Sequence, residues 1–308
     1  RGIWVAKVME NAKKSSRKGV WPRVFFTQVR SKLPVATAAG FVMMGRIKGA
    51  RMKIATFNAN SIRSRMDAVQ GWLAEHQPDV LCVQETKAQD ADFPQELFAQ
   101  AGWQAAFKGE KAYNGVALIS KKPAEEVRFG FDDGGPADEP RLVTARVGDV
   151  WVVNTYVPQG REMDHPMFAY KLEWFARLKK MFERRFKPTD WVLWAGDLNV
   201  AKEPIDVHSP ESYTQHVCFH ESVRNAFSET LSWGFVDVFR RFHPEPGRYT
   251  FYDYRTPNAA KRGIGWRLDY LLASTALAEK AVACEIDMKP RLAPKASDHT
   301  FLSAEFKL

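Results

Sequence analysis

The chain has 308 residues, of which 45% are hydrophobic and 26% are charged. This composition excludes the disordered, collagen-like and coiled-coil classes and predicts a globular protein. Its cysteines, Cys82, Cys218 and Cys284, are odd in number and far apart, so we expect neither a disulfide framework nor a paired zinc motif, and a reducing cytosol fits best. The longest weakly polar run, residues 33–45, is too short to span a bilayer.

The net charge of +9 is unevenly distributed along the chain. Residues 1–51 carry 12 Lys and Arg and a single acid, Glu10, whereas residues 52–308 carry 33 bases and 35 acids. Because this larger part is slightly acidic, any affinity for DNA there requires a local basic face, together with a cation that screens the phosphates.

Residues 1–51 form a basic N-terminal extension that we predict to lie outside the folded domain. The segment starts without Met, shows no consistent period, and mixes Lys and Arg with Ser, Gly and Pro. Three explanations are open: an organelle transit peptide, a basic DNA-contacting arm, and upstream sequence translated ahead of a true start at Met52. The last is favoured because Met52 opens a predicted strand at once.

From Met52 onward, the pattern predicts a strand at 52–58, an amphipathic helix at 65–76 and a strand at 79–85. Longer amphipathic helices are predicted at 166–186 and 220–233. Further apolar strands are predicted at 115–120, 141–147, 150–157, 191–196, 266–274 and 299–306. This order predicts an α/β fold, a four-layer sandwich of two mostly antiparallel sheets packed face to face with helices on both outer faces, in one domain of residues 52–308.

The common catalytic motifs are absent from the sequence. It contains no nucleophile elbow, no phosphate-binding loop, no dinucleotide fingerprint and no H-E-x-x-H. The segment His-Val-Cys-Phe-His at 216–220 is a poor zinc site, because three soft ligands crowded on one short segment rarely close a tetrahedron.

Polar residues remain at the ends of six predicted strands. They are Asn58, Glu85, Tyr156, Asp197 with Asn199, Asp269, and Asp298 with His299. Each alone is more often a cap or a satisfied buried acid, but six strands ending alike indicate one shared rim. Asp269, inside an apolar strand, needs a partner to stay ionised, and His299 is the obvious candidate. Such a set, without a Ser or Cys nucleophile, suits a hard divalent cation and attack of water on phosphorus.

At these residues the sequence closely resembles the exodeoxyribonuclease III type of apurinic/apyrimidinic endonuclease, within the endonuclease, exonuclease and phosphatase superfamily. The blocks that carry the resemblance lie at 52–65, 77–87, 113–120, 154–160, 196–201, 249–255, 265–274 and 297–299. The blocks QPDVLCVQETK and GDLNVA are typical of the superfamily, whereas YTFYDYR and GWRLDYLLAS are typical of its DNA-repair branch.

The resemblance implies a role for each of the strand-end residues. Glu85 is the principal ligand of Mg²⁺, for which Mn²⁺ is a plausible substitute, with Asn58 and Asp298 in that role or just behind it. Asp197 orients or deprotonates the attacking water, which Asn199 holds. His299, held by Asp269, donates to a phosphate oxygen, and Tyr156 lies beside the scissile phosphate. Whether the working base is the Asp, the Tyr or the His is left open.

The resemblance also implies a substrate surface. Phe251, Trp266 and Leu268 match an apolar wall that receives an extruded, base-less sugar, although Phe251 and Trp266 are also readable as ordinary core aromatics. The residues expected to contact phosphates are Arg63, Tyr113, Asn114, Lys261, Arg262 and Arg267. Phe251 stands where many bacterial members carry Trp, and Asn60 where other branches carry an Asp, which leaves open the balance between endonuclease and exonuclease action.

The implied function is a magnesium-dependent DNA-repair phosphodiesterase acting on double-stranded DNA. It cuts 5′ to abasic sites, leaving a 3′ hydroxyl, and removes nucleotides or blocking groups from 3′ ends. A cytoplasmic, nucleoid-associated bacterial monomer is expected. The alternatives are a phosphodiesterase for lipid or inositol phosphates, an inactive DNA-binding module, and an enzyme that incises DNA at uracil.

Overall fold

The computed structural model describes residues 49–135 and 139–308. Nearly all of the predicted basic extension, residues 1–48, therefore lies outside the described residues, and its place beside the predicted domain stays a prediction. Within the described residues no helix is both long enough and apolar enough to cross a membrane.

The described residues form two six-stranded sheets and six α-helices. The strands are β1 (Arg51–Asn58), β2 (Val80–Gln84), β3 (Gln104–Lys108), β4 (Val116–Ser120), β5 (Glu125–Phe129), β6 (Leu142–Val147), β7 (Val150–Tyr156), β8 (Val192–Asp197), β9 (Phe235–Asp237), β10 (Asp269–Ser274), β11 (Ala281–Asp287) and β12 (Phe301–Lys307). The helices are α1 (Met66–His76), α2 (Gln95–Gln100), α3 (Pro166–Arg185), α4 (Glu221–Leu231), α5 (Val238–Phe242) and α6 (Thr275–Ala278).

Both sheets have the same plan. The first has the strand order β11-β12-β1-β2-β4-β3 and the second β5-β6-β7-β8-β10-β9. At the centre of each, two strands are parallel, β1 with β2 and β7 with β8, and the outer strands join them antiparallel. Parallel neighbours end at the same edge of a sheet, so the last residues of these central strands lie side by side.

Three apolar layers hold the sandwich together. The sheets meet through alternate residues such as Ile54 and Cys82 from one and Leu193 and Leu271 from the other. The intervening residues face outward, where α1 covers the first sheet and α3 and α4 cover the second. The predicted four-layer sandwich is confirmed. Each fully buried Leu, Val or Phe contributes about 1.5–3 kcal/mol to these interfaces.

The eight predicted strands are all present, and the strands that were not predicted are β3, β5, β9 and β11. These four are the edges of the two sheets. Edge strands are half exposed and carry charged residues, as in Glu-Glu-Val-Arg-Phe of β5, so they lack the apolar run by which buried strands are recognised. The strand predicted at 266–274 begins later, at Asp269, and Trp266 forms only isolated bridges with Val207 and Phe251.

Candidate active site

Asn58 joins the two sheets at the rim where the central strands end. It is the last residue of β1, and its buried side-chain Nδ2 donates to Glu85 Oε1 and to Asp197 Oδ2, each at 2.8 Å. Its Oδ1 accepts the Asn60 backbone N–H at 2.9 Å. Asn58 therefore fixes the separation of two carboxylates that come from different sheets.

Glu85 is turned toward this rim by the residue's own backbone. It directly follows β2 and has a φ of 48°, in the left-handed region, which costs a residue with a Cβ of order 1 kcal/mol or more. Burial opposes ionisation of Glu85, but the ammonium of Lys87, 2.9 Å from Oε2, and the Asn58 amide outweigh it and hold its pKa below the usual range. Glu85 is therefore a carboxylate.

Asn60 connects the glutamate to Asp298. Its Oδ1 accepts from Lys87 Nζ at 2.5 Å, and its Nδ2 donates to Asp298 Oδ1 at 3.0 Å. Lys87 stands in a motif block that resembles the family but was not predicted as a site residue. In the sequence, its position two residues after Glu85 indicated that Lys87 belongs to the site.

The second half of the site is a buried dyad of Asp269 and His299. Asp269 opens β10 and lies in register with Asp197, the last residue of β8. His299 Nδ1 is 2.7 Å from Asp269 Oδ2, and its Nε2 is 3.7 Å from Asp197 Oδ2. The partner predicted for Asp269 is thus the one that the structure gives it.

The charges of this trio follow from burial and mutual attraction. Burial alone would lower the pKa of His299, but the Asp269 and Asp197 carboxylates outweigh it and raise that pKa well above its usual value. Burial raises the pKa of Asp197, against the attraction of His299 and with the repulsion of Asp269. These pKa shifts favour a protonated His299 ring held between the carboxylates of Asp197 and Asp269.

Asn199 and Tyr156 complete the rim. The Asn199 backbone N–H donates to Asp197 Oδ1 at 3.0 Å, and its Nδ2 donates to the Val157 carbonyl at 3.0 Å. Tyr156 ends β7, and the guanidinium of Arg141 lies 4.7 Å from its ring centroid. Burial, followed by the Glu85 and Asp197 carboxylates, raises the pKa of Tyr156 well above its usual value, so the phenol is protonated at neutral pH.

Oxygen atoms dominate the half of the site around Glu85. One ligand atom each of Asp197, Asp269 and His299 also lie within 4.8 Å of one another. The Asp269 and Asp197 carboxylates raise the pKa of His299 well above its usual value, so both ring nitrogens carry a proton at neutral pH and the trio offers no free nitrogen ligand. The oxygens of Glu85, Asp298 and Asn60 fit a hard divalent cation better.

A cavity of about 450 Å³ opens beside these groups. Phe251, Trp266 and Leu268 line it, and the Phe251 ring lies 5.0 Å from the His299 ring. Isolated backbone bridges from Phe251 to both Trp266 and His299 hold this wall against the rim. Trp266 and Leu268 also pack in the core of the second sheet. They therefore line the cavity and belong to the core at the same time.

The part of the cavity wall beside Trp266 was not predicted. The rings of Tyr213 and His216 each lie 4.8 Å from the Trp266 ring, and both residues line the cavity. His216 belongs to the 216–220 segment whose histidines were judged unfit for zinc. His216 Nδ1 accepts the Cys218 backbone N–H, and His220 caps the first turn of α4.

The predicted phosphate contacts fall into two groups. Arg63, Lys261, Arg262 and Tyr113 are exposed, whereas Asn114 is buried and bonds Glu110. Tyr113 and Asn114 line a second cavity that shares Tyr156 and Gln159 with the first. The two cavities therefore adjoin each other at Tyr156 and Gln159, and together they are called the groove below.

The prediction for Arg267 is wrong. Its side chain is 0% exposed and forms ion pairs with Asp206 at 2.8 Å and Asp237 at 2.7 Å. A phosphate cannot reach a guanidinium enclosed in this way, and its donors Nε and Nη2 are already used. Arg267 is a structural cation.

The fold and this rim define a nuclease of the two-sheet sandwich type, and comparisons with known proteins agree. The sequence profile described as Endonuclease/Exonuclease/phosphatase family matches residues 55–299. The chain is 30% identical over 268 residues to exodeoxyribonuclease III of Haemophilus influenzae, covering 83% of this chain and all of that protein.

Solved structures give the same answer. An AP endonuclease from Archaeoglobus fulgidus has 49% identity and a TM-score of 0.82, over 83% of this chain and all of that one. The 3′ phosphatase NExo from Neisseria, solved with a product DNA hairpin, has 34% identity and a TM-score of 0.79 over the same shares. The chain belongs to the exonuclease III / AP endonuclease family of the endonuclease/exonuclease/phosphatase superfamily and is a DNA-repair nuclease of that type.

Proposed function

We propose that this protein is a Mg²⁺-dependent nuclease that cuts duplex DNA 5′ to an abasic site, leaving a 3′ hydroxyl, and that also removes nucleotides or blocking groups from 3′ ends. The observation that carries the proposal is the meeting of Glu85, Asp197 and the Asp269–His299 dyad on one rim, beside a cavity with an apolar wall.

Glu85 would hold the cation, with Asp298 and the Asn60 oxygen beside it and Asn58 orienting the glutamate. Carboxylate and amide oxygens are the ligands Mg²⁺ accepts, and it keeps several waters besides. When bound, the ion neutralises charge on the phosphate that is attacked.

Asp197 is the residue that would accept a proton from the attacking water. Of the three open choices for the base, the Tyr156 phenol is protonated and His299 carries a proton on the dyad, whereas Asp197 presents a carboxylate with a pKa raised by burial. A base whose pKa is raised toward neutrality is the more effective one. Asn199, bonded to Asp197, would hold the water.

His299 and Tyr156 would donate to the phosphate. An imidazolium kept charged by Asp269 stabilises negative charge on the non-bridging oxygens as the pentavalent state forms. The Tyr156 hydroxyl supplies a neutral donor on the other side of the rim. Neither group has to change its protonation state to do this.

The cavity wall would select the damaged nucleotide. A sugar without a base leaves the duplex more cheaply than an intact nucleotide and fits an apolar wall of Phe251, Trp266 and Leu268. DNA as the substrate is supported by the DNA-bound Neisseria relative. The exposed Arg63, Lys261 and Arg262 are the proposed phosphate contacts.

The test is incision of a duplex that contains one tetrahydrofuran abasic analogue, with Mg²⁺ and with EDTA. We expect a Mg²⁺-dependent nick 5′ to the analogue with a 3′ hydroxyl, and a rate at least about 100-fold lower in Asp197→Asn. Parallel arms use a 3′-phosphate end, an undamaged 3′ end, a single deoxyuridine and an inositol phosphate diester. No nick, or a preference for the small diester, would refute the proposal.

A further inference from the structure

Lys171 lies on the buried face of α3, where an apolar residue would be expected. The side chains buried with it along this helix are Phe168, Trp174, Phe175, Leu178, Met181 and Phe182. Lys171 itself is 0% exposed. Removing an ammonium from water costs several kcal/mol unless its donors are satisfied, so the structure must compensate it.

The compensation comes from three backbone carbonyls. Nζ donates to the oxygens of Asn199 at 2.6 Å, Val217 at 2.8 Å and Gln159 at 3.1 Å, and Cys218 Sγ lies 4.0 Å away. An ammonium has three N–H groups, so each has its own acceptor. All three acceptors are neutral peptide groups, and the charge is therefore stabilised by backbone dipoles.

These carbonyls belong to three separate loops of the site. Gln159 follows β7 and lines the groove, and Asn199 follows β8 and bonds Asp197. Val217 precedes α4 and stands between His216 and Cys218, both of which line the cavity. One buried side chain thus ties together the groove, the proposed water-holding residue and the part of the cavity wall beside Trp266.

We propose that Lys171 is a positioning residue that holds these three loops at the spacing the reaction needs, and thereby places Asn199 and Asp197 against the scissile phosphate. This inference rests on the proposed function for its catalytic consequence. Without the ammonium the three carbonyls lose their donor, and the loops separate. A displacement of about 1 Å at reacting groups is enough to cost roughly 100-fold in rate.

The experiment compares Lys171→Met with two controls on the same helix pair. Lys180→Met removes an exposed lysine of α3. Thr230→Val removes a buried hydroxyl of α4 that donates to the Phe175 carbonyl of α3 at 3.2 Å, and so loosens the helix without touching the loops. We expect kcat on the abasic duplex to fall about 100-fold in Lys171→Met, with KM within about threefold and both controls near the wild-type values.

A second readout does not depend on activity. Hydrogen–deuterium exchange of the free protein should rise in all three loops, residues 157–161, 198–203 and 214–219, in Lys171→Met, and stay unchanged in α1. If the wild type cuts no abasic duplex, the proposed function fails, while the exchange result still tests the tie between the loops.

The inference is overturned if folded Lys171→Met keeps wild-type kcat, if exchange in the three loops is unchanged, or if Thr230→Val loses as much kcat as Lys171→Met. Should Lys171→Met not fold, Lys171→Gln takes its place. That amide reaches fewer carbonyls, and wild-type kcat or unchanged exchange in Lys171→Gln would overturn the inference equally.

Discussion

Asp197 and Asp269 lie directly opposite each other on the antiparallel strands β8 and β10, at the end where β8 stops and β10 starts. Two carboxylates this close repel each other, and His299 sits against both, 2.7 Å from Asp269 and 3.7 Å from Asp197. The imidazole therefore offsets the repulsion between the two acids at this buried end of the strands.

We predict that Asp269→Asn lowers kcat about 100-fold and moves the alkaline limb of the pH–rate profile toward lower pH. The Asp269 carboxylate helps raise the pKa of His299, so in the wild type the active imidazolium persists above the ordinary histidine pKa of about 6.5. Without that charge the proton is lost earlier as the pH rises. The measurements are kcat and kcat/KM between about pH 6 and 10.

The control for this variant is Asp287→Asn, which breaks another Asp–His pair, with His76 of α1 at 3.2 Å. Its pH profile should match that of the wild type. An unshifted limb in Asp269→Asn would contradict the role of the dyad.

Glu85→Gln should weaken Mg²⁺ binding by at least about tenfold, because it replaces the ionised carboxylate of the oxygen-rich half by a neutral amide. We would measure Mn²⁺ binding by calorimetry, together with the Mg²⁺ concentration that half-saturates incision. Glu279→Gln, at an exposed position, serves as the control. Equal Mn²⁺ affinity in wild type and Glu85→Gln would exclude Glu85 as a ligand.

Phe251→Ala should reduce discrimination between damaged and intact DNA. The ring helps form the apolar wall and lies 5.0 Å from His299. Its removal widens the cavity and lowers kcat/KM for the abasic duplex by about 10-fold or more, while kcat/KM for the intact 3′ end falls less. The ratio of the two rates is the measurement, and Leu292→Ala, which alters an exposed leucine, is the matched truncation. A constant ratio would assign Phe251 to packing alone.

Arg267→Met should destabilise the protein by about 3–5 kcal/mol, because it leaves Asp206 and Asp237 short of a buried partner. The salt dependence of DNA binding should not change, since Arg267 contacts no phosphate. Urea unfolding and DNA binding over a range of salt concentrations measure the two effects. If the salt dependence is weaker in Arg267→Met, Arg267 does contact a phosphate, as the sequence predicted.

The same ion pairs predict a pH dependence of stability. Burial opposes ionisation of Asp206, but Arg267 and Arg240 outweigh it and lower its pKa. A carboxyl with a depressed folded pKa contributes stability that is complete above its unfolded pKa of about 3.9 and is lost as the pH falls through the folded value. The wild type should therefore lose more stability than Asp206→Asn between about pH 5 and 3.

The sequence predicted the layers and the rim well because both depend on buried strands. Apolar runs marked the eight inner strands, and the residues that end them, such as Asn58 and Asp197, then had to meet at one edge. The edge strands β3, β5, β9 and β11 carry a weaker pattern, since one side of each faces solvent.

Buried cations were the main failure of the sequence interpretation. Arg267 was predicted to contact a phosphate, and Lys171 was passed over on a helix that was predicted to be amphipathic. Lys and Arg are rarely buried without a partner, and the partners here, Asp206 for one and three carbonyls for the other, are distant in sequence. In the sequence, the burial of Lys171 was indicated by its spacing, three residues after Phe168 and four residues before Phe175.

The pairing of β1 with β12 joins the first described strand to the last. His299, which precedes β12, therefore takes its place beside Asp269 only when β12 has paired with β1. Closing the first sheet and assembling the proposed dyad are thus one folding event. Any opening of the β1–β12 pair would take the dyad apart.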